Sequence, residues 1–266
     1  MSTCSYKNRI IQGDCLAIMK DFSDNSIDLV ITSPPYDNLR NYNGYSFNFK
    51  EIARELFRVI KQGGVVVWVV GDATIDGTET ATSFRQALYF KEIGFNLHDT
   101  MIFRKKNPIP QIYRKRYNNE FEYMFILSKG EVKSHNPLMI HCLHAGLELN
   151  GTTYKNYSKN RQKRTKMANP VKNQKIRGNI WEYVVGKNKE DHEAKLHSAP
   201  FPCQLVKDHI LSWSNKGDLI LDPMCGSGTT CKVAKELGRD YIGIDISKEY
   251  IDIAIKRLNN TQQNLL

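Results

Sequence analysis

The sequence predicts an α/β protein, with a mostly parallel central sheet and helices on both faces. Three observations predict it. Short apolar strands alternate with segments whose apolar residues recur at helical spacing. One strand, Val65 to Val70, is an unbroken run of valines around a tryptophan, the pattern of a strand buried on both faces. Late in the chain a strand enters a Gly-Ser-Gly loop that opens directly into a helix.

The elements follow in order. Ile27 to Ile31 is a short strand running into Thr32-Ser33-Pro34-Pro35-Tyr36. Phe49, Ile52, Ala53, Leu56, Phe57 and Ile60 share one helical face, and Gly63-Gly64 is expected to end that helix. After the Val65 strand, Ser83 to Ile93 is a helix stopped by Gly94, and Phe121 to Leu127 is a strand. Gln204 to Trp213 is helical, Asp218 to Leu221 a strand, Thr229 to Leu237 a helix and Tyr241 to Ile244 a strand ending at Asp245. Ser247 caps a last helix, whose Tyr250, Ile251, Ala254, Ile255 and Leu258 should point inward.

The middle differs. Arg104 to Arg116 carries six basic residues and no acid, and Lys155 to Arg177 carries nine and no acid, which marks both as candidate phosphate-binding stretches. Tyr113, Tyr117, Tyr154 and Tyr157 lie in or beside them. A net charge of +10 over 266 residues favours a polyanionic partner, with nucleic acid ahead of membrane. No apolar run approaches the roughly 20 residues that span a bilayer, and the N-terminus has no signal-peptide core. Six scattered cysteines without a C-x-x-C pair suggest no disulfide framework. A cytoplasmic protein is the expectation.

Two segments carry chemistry. In Asp222-Pro223-Met224-Cys225-Gly226-Ser227-Gly228-Thr229-Thr230, small residues let a ligand approach the backbone. No third glycine completes a dinucleotide fingerprint and no Gly-Lys-Ser/Thr makes a phosphate loop. The strand-end acid Asp222 would repel phosphate but suits a cation such as a sulfonium bearing an α-amino group. Asp245, at the end of the next strand, can accept from two ribose hydroxyls. In Ser33-Pro34-Pro35-Tyr36, the prolines fix two φ angles and remove two N–H donors. The Ser33 hydroxyl and the Pro34 carbonyl can then accept from an amino group, and Tyr36 offers a flat face to an extruded base.

Together these segments resemble the DNA amino-methyltransferases that act on cytosine N4 or adenine N6. Asp222 to Thr230 matches the family's D-P-F-x-G-S-G-T-T cofactor loop, with Met224 for Phe, and Ser33 to Tyr36 matches its [DNS]-P-P-[YFW] catalytic motif. The catalytic motif precedes the cofactor loop, which resembles the permuted β class. His197-Ser198-Ala199-Pro200-Phe201-Pro202 resembles the H-x-A-P-F-P segment lining the methionine moiety. Gly13-Asp14-Cys15 resembles the N-terminal G-D-C near the adenine, and Asn179-Ile180-Trp181 the family's N-[IV]-W.

The resemblance covers residues 10–130 and 178–258. It implies a Rossmann-like S-adenosylmethionine-dependent methyltransferase fold with permuted motif order. It also implies one catalytic domain over 1–266, with a catalytic half at about 8–130, a basic target-recognition insert at about 104–180 and a cofactor half at about 195–260. Cofactor contacts would come from Asp14, Cys15, Thr32, His197, Ser198, Phe201, Pro202, Asp222 to Thr230 and Asp245-Ile246-Ser247. Arg104, Lys105, Arg114, Lys115, Arg116, Lys163 and Arg164 would hold DNA phosphates.

The implied partner is double-stranded DNA, without membrane. A homodimer, and a cognate restriction endonuclease as a separate protein, are compatible with it. Within the family, Ser-Pro-Pro-Tyr is commoner in cytosine-amino enzymes, which favours cytosine; adenine N6 is the alternative, and an inactive DNA-binding subunit the alternative of another class. An RNA methyltransferase is also open.

Competing readings are weaker. Phe201-Pro202-Cys203-Gln204 resembles the cytosine-C5 nucleophile motif, but its Glu-Asn-Val partner is missing, so Cys203 is expected half-buried at a helix start. His141, Cys142 and His144 are too few for zinc. Asp72, Asp76 and Glu79 imitate a calcium loop, but Ser83 stands where its final Glu belongs. No metal is expected.

Overall fold

The computed structural model describes residues 3–35, 47–108, 110, 115–143, 145, 152–153, 165–166, 172–186 and 202–262. The chain divides into two compact units, Met1–Asn136 with Asn179–Leu266, and Pro137–Gly178.

The larger unit holds an eight-stranded sheet. Its strands are β1 (Arg9–Gln12), β2 (Ile27–Thr32), β3 (Ile60–Val70), β4 (Asn96–Lys105), β5 (Phe121–Ser128), β6 (Ile180–Tyr183), β7 (Leu219–Asp222) and β8 (Asp240–Asp245). Spatial order is β1-β8-β7-β2-β3-β5-β4-β6. Every neighbouring pair is parallel except the two that β5 makes with β3 and β4. The helices are α1 (Cys15–Met19), α2 (Phe49–Val59), α3 (Thr82–Glu92), α4 (Cys203–Trp213), α5 (Thr229–Glu236) and α6 (Lys248–Asn259).

Side chains alternate across each strand, so both faces of the sheet are apolar. Val30, Val66, Trp68 and Leu221 pack with Met19, Ile52, Leu56 and Phe90 of α1, α2 and α3. Leu29, Ile31, Val67 and Ile220 point the other way and are equally buried. Phe49, Trp68 and Phe90 form an aromatic triangle with centroids 5.1–5.8 Å apart. The indole N–H of Trp68 donates to Gln86 Oε1 at 2.8 Å, so the one polar atom of that ring is satisfied inside the core. Ser247 caps α6 as expected, its Oγ accepting from Tyr250 N at 3.4 Å, and Asp14 Oδ1 accepts from Leu16 N at 2.9 Å at the start of α1.

Three details differ from expectation, and one strand was not anticipated. Gly63-Gly64 do not end α2, which stops at Val59; they sit inside β3. Gly63 has φ +80°, and a β-carbon at Gly64 would stand 2.9 Å from the Asp28 carbonyl, so these glycines shape a bulged strand. Ile255 is 41% exposed, and the inward face of α6 is Ile251, Ala254, Arg257 and Leu258. β4 begins at Asn96, so Arg104 and Lys105 close a sheet strand and do not open an irregular segment. β6 holds the Ile-Trp of the N-I-W motif, burying Trp181 and Tyr183 alternately with exposed neighbours.

In the smaller unit, Met139–His141 pairs antiparallel with Gln174–Ile176, and Thr152–Thr153 with Thr165–Lys166.

Candidate active site

The two sequence segments meet at the middle of the sheet. β2 and β7 are parallel neighbours, with Leu29 opposite Ile220 and Val30 opposite Leu221. Ser33-Pro34-Pro35 and the Asp222 loop therefore leave the same edge side by side. From β2 the chain passes to β3 on one side; from β7 it passes to β8 on the other. A strand order that reverses in this way opens a crevice at the carboxyl ends of the strands, where α/β sheets bind ligands. Thr32 and Pro34 are buried there, with Ser33 and Pro35 half-buried.

Asp222 ends β7 and is only 5% exposed. Its carboxylate accepts the Thr230 hydroxyl at 2.7 Å and the Met224 amide at 3.2 Å. Burial pushes its pKa up to about 6; the Thr230 and Thr32 hydroxyls and the Met224 amide oppose the rise, and the charge of Asp245 adds to it. Asp245 ends β8 with its pKa likewise raised by burial. Its Oδ2 accepts from Gly226 N and its Oδ1 from Ser247 N, each at 2.9 Å. The Asp245 carbonyl accepts from Gly13 N at 2.9 Å, which brings Asp14 to the same edge. Ile246, the next residue, is 42% exposed.

The loop between Asp222 and α5 is fixed from several sides. Cys225 N donates to the Ile244 carbonyl and Gly228 N to the Cys225 carbonyl, each at 2.8 Å. Gly228 has φ +76°, and a β-carbon there would lie 2.7 Å from Ala254 Cβ, so α6 packs against the loop backbone itself. Ser227, Thr229 and Thr230 are buried, and Met224 packs on the core while Pro223 bridges it to Asp222. Sequence reasoning missed Arg257 here. It is 2% exposed and its Nη1 donates to the Ser227 carbonyl, to Ser227 Oγ at 3.0 Å and to Thr229 Oγ1 at 3.2 Å. Its signal was present: Arg257 falls three residues after Ala254, on the apolar stripe of α6.

Three buried cysteines are not poised as nucleophiles. Burial pushes the Cys15 thiol up to about 12 and raises those of Cys225 and Cys231 well above their ordinary value. Cys203 is half-buried as the first residue of α4, with Pro202 at the cap. Asp72 is used structurally, accepting the Ser83 amide at 2.8 Å and the Ser83 hydroxyl at 2.5 Å at the start of α3. Among the described residues no cluster of three His, Cys, Asp or Glu could hold a metal, and no helix is long and apolar enough to cross a membrane.

Of the basic candidates, Arg104 pairs with Glu182 at 2.9 Å and Glu120 at 3.5 Å, Lys105 with Glu122 at 2.9 Å and Arg116 with Glu79 at 3.6 Å. Lys115 is exposed. Tyr36, Arg114, His144, Lys163, Arg164, His197, Ser198 and Phe201 lie outside the described residues.

Comparison with known proteins agrees with this geometry. The DNA methylase family model, covering N6 and N4 enzymes, matches residues 27–256. The orphan methyltransferase M.BamHII of Bacillus amyloliquefaciens is 53% identical over 247 residues, 91% of this chain and 92% of that protein. Two solved structures share the fold. One is the M1.HpyAVI–SAM complex, with TM-score 0.62 and 24% identity over 97% of this chain and 100% of the other. The second is the cytosine-N4-specific PvuII DNA methyltransferase, with TM-score 0.70 and 21% identity over 97% of this chain and 87% of the other. The crevice at the centre of the sheet, the acid-bearing glycine loop beside the Ser-Pro-Pro turn and the match along most of the chain lead to one assignment: the chain belongs to the N6/N4 DNA methylase family, the amino-methyltransferases of DNA.

Proposed function

We propose that the chain transfers the methyl group of S-adenosylmethionine to the exocyclic N4 amino group of a flipped-out cytosine at a specific sequence in duplex DNA. The observation that carries this reading is the meeting of Ser33-Pro34-Pro35 with the Asp222 loop where the strand order reverses. The cytosine choice follows the serine that opens the motif, and the N4-specific enzyme among the fold neighbours supports it.

The residues present fit the methyl donor. Asp222 and Asp245 put two carboxylates at adjacent strand ends, which disfavours a pyrophosphate and suits a cation. Each Asp245 oxygen accepts one backbone N–H, and a carboxylate oxygen has a second lone pair for a ribose hydroxyl. Exposed Ile246 offers an apolar face to an adenine ring, and Asp14 follows Gly13, whose N–H donates to the Asp245 carbonyl. The SAM complex of M1.HpyAVI, a protein of the same fold, supports the assignment. The remaining donor contacts are assigned to Cys15, Thr32, Pro202, Pro223 to Thr230 and Ser247, with His197, Ser198 and Phe201 by resemblance.

S-adenosylmethionine supplies, when bound, an electrophilic methyl group on a positively charged sulfur. The chain's own part is positioning and hydrogen bonding. A base amino group is a weak nucleophile because its lone pair is delocalised into the ring. The Ser33 hydroxyl and the Pro34 carbonyl accept its two N–H groups, favour a pyramidal nitrogen and aim its lone pair. Tyr36 stacks on the extruded base. Orientation of this kind supplies about 7–11 kcal/mol in favourable cases. No covalent enzyme intermediate is needed, in keeping with the raised thiols of Cys15, Cys225 and Cys231.

The basic unit Pro137–Gly178 is assigned to target recognition. The reading includes a setting in, or descent from, restriction–modification. A separate cognate nuclease is optional, since the relative from B. amyloliquefaciens is itself named an orphan. An intracellular place, in line with that bacterial relative, completes the reading, and a homodimer is compatible with it. The test is nucleoside mass analysis of treated DNA combined with sequencing at the modified sites. N4-methylcytosine at one short sequence is expected; N6-methyladenine would replace the cytosine assignment, and methylation of RNA alone would overturn the substrate.

A further inference from the structure

We propose that Arg257 is a positioning residue for the methyl donor, holding the Gly-Ser-Gly loop from behind in the shape the donor requires. The inference rests on the donor site proposed above. Ser227 lies between two glycines with φ of +50° and +76°, so its peptide links have little intrinsic stiffness. The Ser227–Gly228 peptide is nevertheless held at both ends. Its carbonyl accepts from Arg257 Nη1, and its N–H donates to the Cys225 carbonyl at 2.8 Å. The same guanidinium nitrogen reaches Ser227 Oγ at 3.0 Å and Thr229 Oγ1 at 3.2 Å, so three oxygens of the loop and of the first residue of α5 converge on it. One turn earlier on α6, Ala254 fills the space that a β-carbon on Gly228 would need. α6 thus grips two consecutive loop residues, Ala254 by contact and Arg257 by hydrogen bonds.

A guanidinium 2% exposed is a costly way to fill that space. Methionine or leucine would pack α6 without the desolvation penalty. What an apolar side chain cannot do is hydrogen-bond the Ser227 carbonyl and hydroxyl and so fix the loop in one shape. That is a requirement of the loop's shape, and it predicts an effect on donor binding in excess of any effect on folding.

The test compares Arg257→Met, Arg257→Lys and, as a control, Lys256→Ala, whose side chain is exposed on the same helix. Three quantities are read: the Kd for S-adenosylhomocysteine by calorimetry, the KM values for donor and DNA together with kcat, and the Tm of the unliganded protein. Arg257→Met should raise the Kd and the donor KM about tenfold or more, the scale of a lost charge-assisted hydrogen bond. It should leave the DNA KM and the kcat at saturating donor near wild type. Arg257→Lys should recover part of the loss, and Lys256→Ala should match wild type.

A wild-type Kd in Arg257→Met overturns the proposal. So does a loss shared equally by donor KM, DNA KM and kcat, which would mean that Arg257 only supports the fold. Should Arg257→Met fail to fold, Arg257→Lys decides alone: a several-fold weaker Kd supports the proposal and a wild-type Kd overturns it. A wild-type chain that binds no S-adenosylhomocysteine would refute the donor site itself, and this inference with it.

Discussion

At the residue scale, the proposed chemistry rests on two carboxylates and a serine. Asp222 titrates near pH 6 because burial penalises its charge more than Thr230, Thr32 and Met224 compensate. Its raised pKa means that, in the unliganded chain, protonated Asp222 contributes stability that is lost as pH rises through about 6. A cationic donor needs the ionised form, so donor affinity runs the opposite way. Calorimetric titration of S-adenosylmethionine from pH 5 to 8 should show affinity rising through about pH 6 to a plateau, with the rise abolished in Asp222→Asn; a flat profile in the wild type would remove Asp222 from the donor site. Ser33→Ala should lower methyl transfer by about 10²-fold, the scale of one preorganised hydrogen-bonding group, while donor affinity stays within about twofold. Single-turnover rates check this, and a wild-type rate in Ser33→Ala would take its hydroxyl out of the mechanism.

At the scale of elements, the site depends on how helices meet strand ends. Gly228 is where α6 touches the loop backbone, so Gly228→Ala combines left-handed strain with a 2.7 Å clash. It should destabilise the fold by about 2–4 kcal/mol and weaken donor binding, measured by urea unfolding and calorimetry. A second junction joins β6 to α4. The Tyr183 hydroxyl donates to Asp208 Oδ2 and Gln204 Nε2 donates to Asp208 Oδ1, each at 2.6 Å. This network anchors α4 at the end that follows Pro202. Tyr183→Phe should lower stability by about 1.5–3 kcal/mol, as expected for a hydrogen bond to a buried charge, with the urea midpoint as the readout.

These junctions show what the sequence could and could not disclose. Continuous apolar runs such as Val65–Val70, and caps such as Ser247, are local signals, and β3 and α6 follow from them. Gly63-Gly64 resembled a helix stop, because a glycine pair reads alike at a C-cap and at a bulge; tertiary neighbours such as the Asp28 and Glu131 carbonyls distinguish them. β4 hid behind its charged end, since Arg104 and Lys105 find carboxylate partners on β5, β6 and Glu120, far away in sequence. Arg257 stood out in the sequence only as a basic residue on the apolar stripe of α6; its role was not legible there because its partners, Ser227 and Thr229, lie about one strand and one helix earlier.

At the scale of the whole molecule, motifs nearly 190 residues apart, from Ser33 to Asp222, become neighbours because β2 and β7 share the centre of the sheet. Permuted order therefore leaves the site intact: what matters is which strands adjoin, not which comes first. In the proposed reading, the excess of positive charge, +10 overall, serves DNA association. Several cations near the sheet are already paired with carboxylates, so the phosphate-binding load is expected to fall mainly on the basic stretch from Lys155 to Arg177. Log affinity for duplex DNA should fall linearly with log salt at about −0.9 per phosphate contacted. Charge-neutralising substitutions in that stretch should reduce the slope, and Arg104→Gln should leave it nearly unchanged; fluorescence anisotropy across a salt series checks both.

The most direct measurement of the central claim is transfer of labelled methyl from S-adenosylmethionine to duplex DNA, followed by digestion to nucleosides. Label is predicted in N4-methylcytosine for the wild-type chain, with a sharp fall in Ser33→Ala and Asp222→Asn. Absence of label from every base of a sequence-diverse DNA, under conditions where the protein is folded and binds the donor, would contradict it.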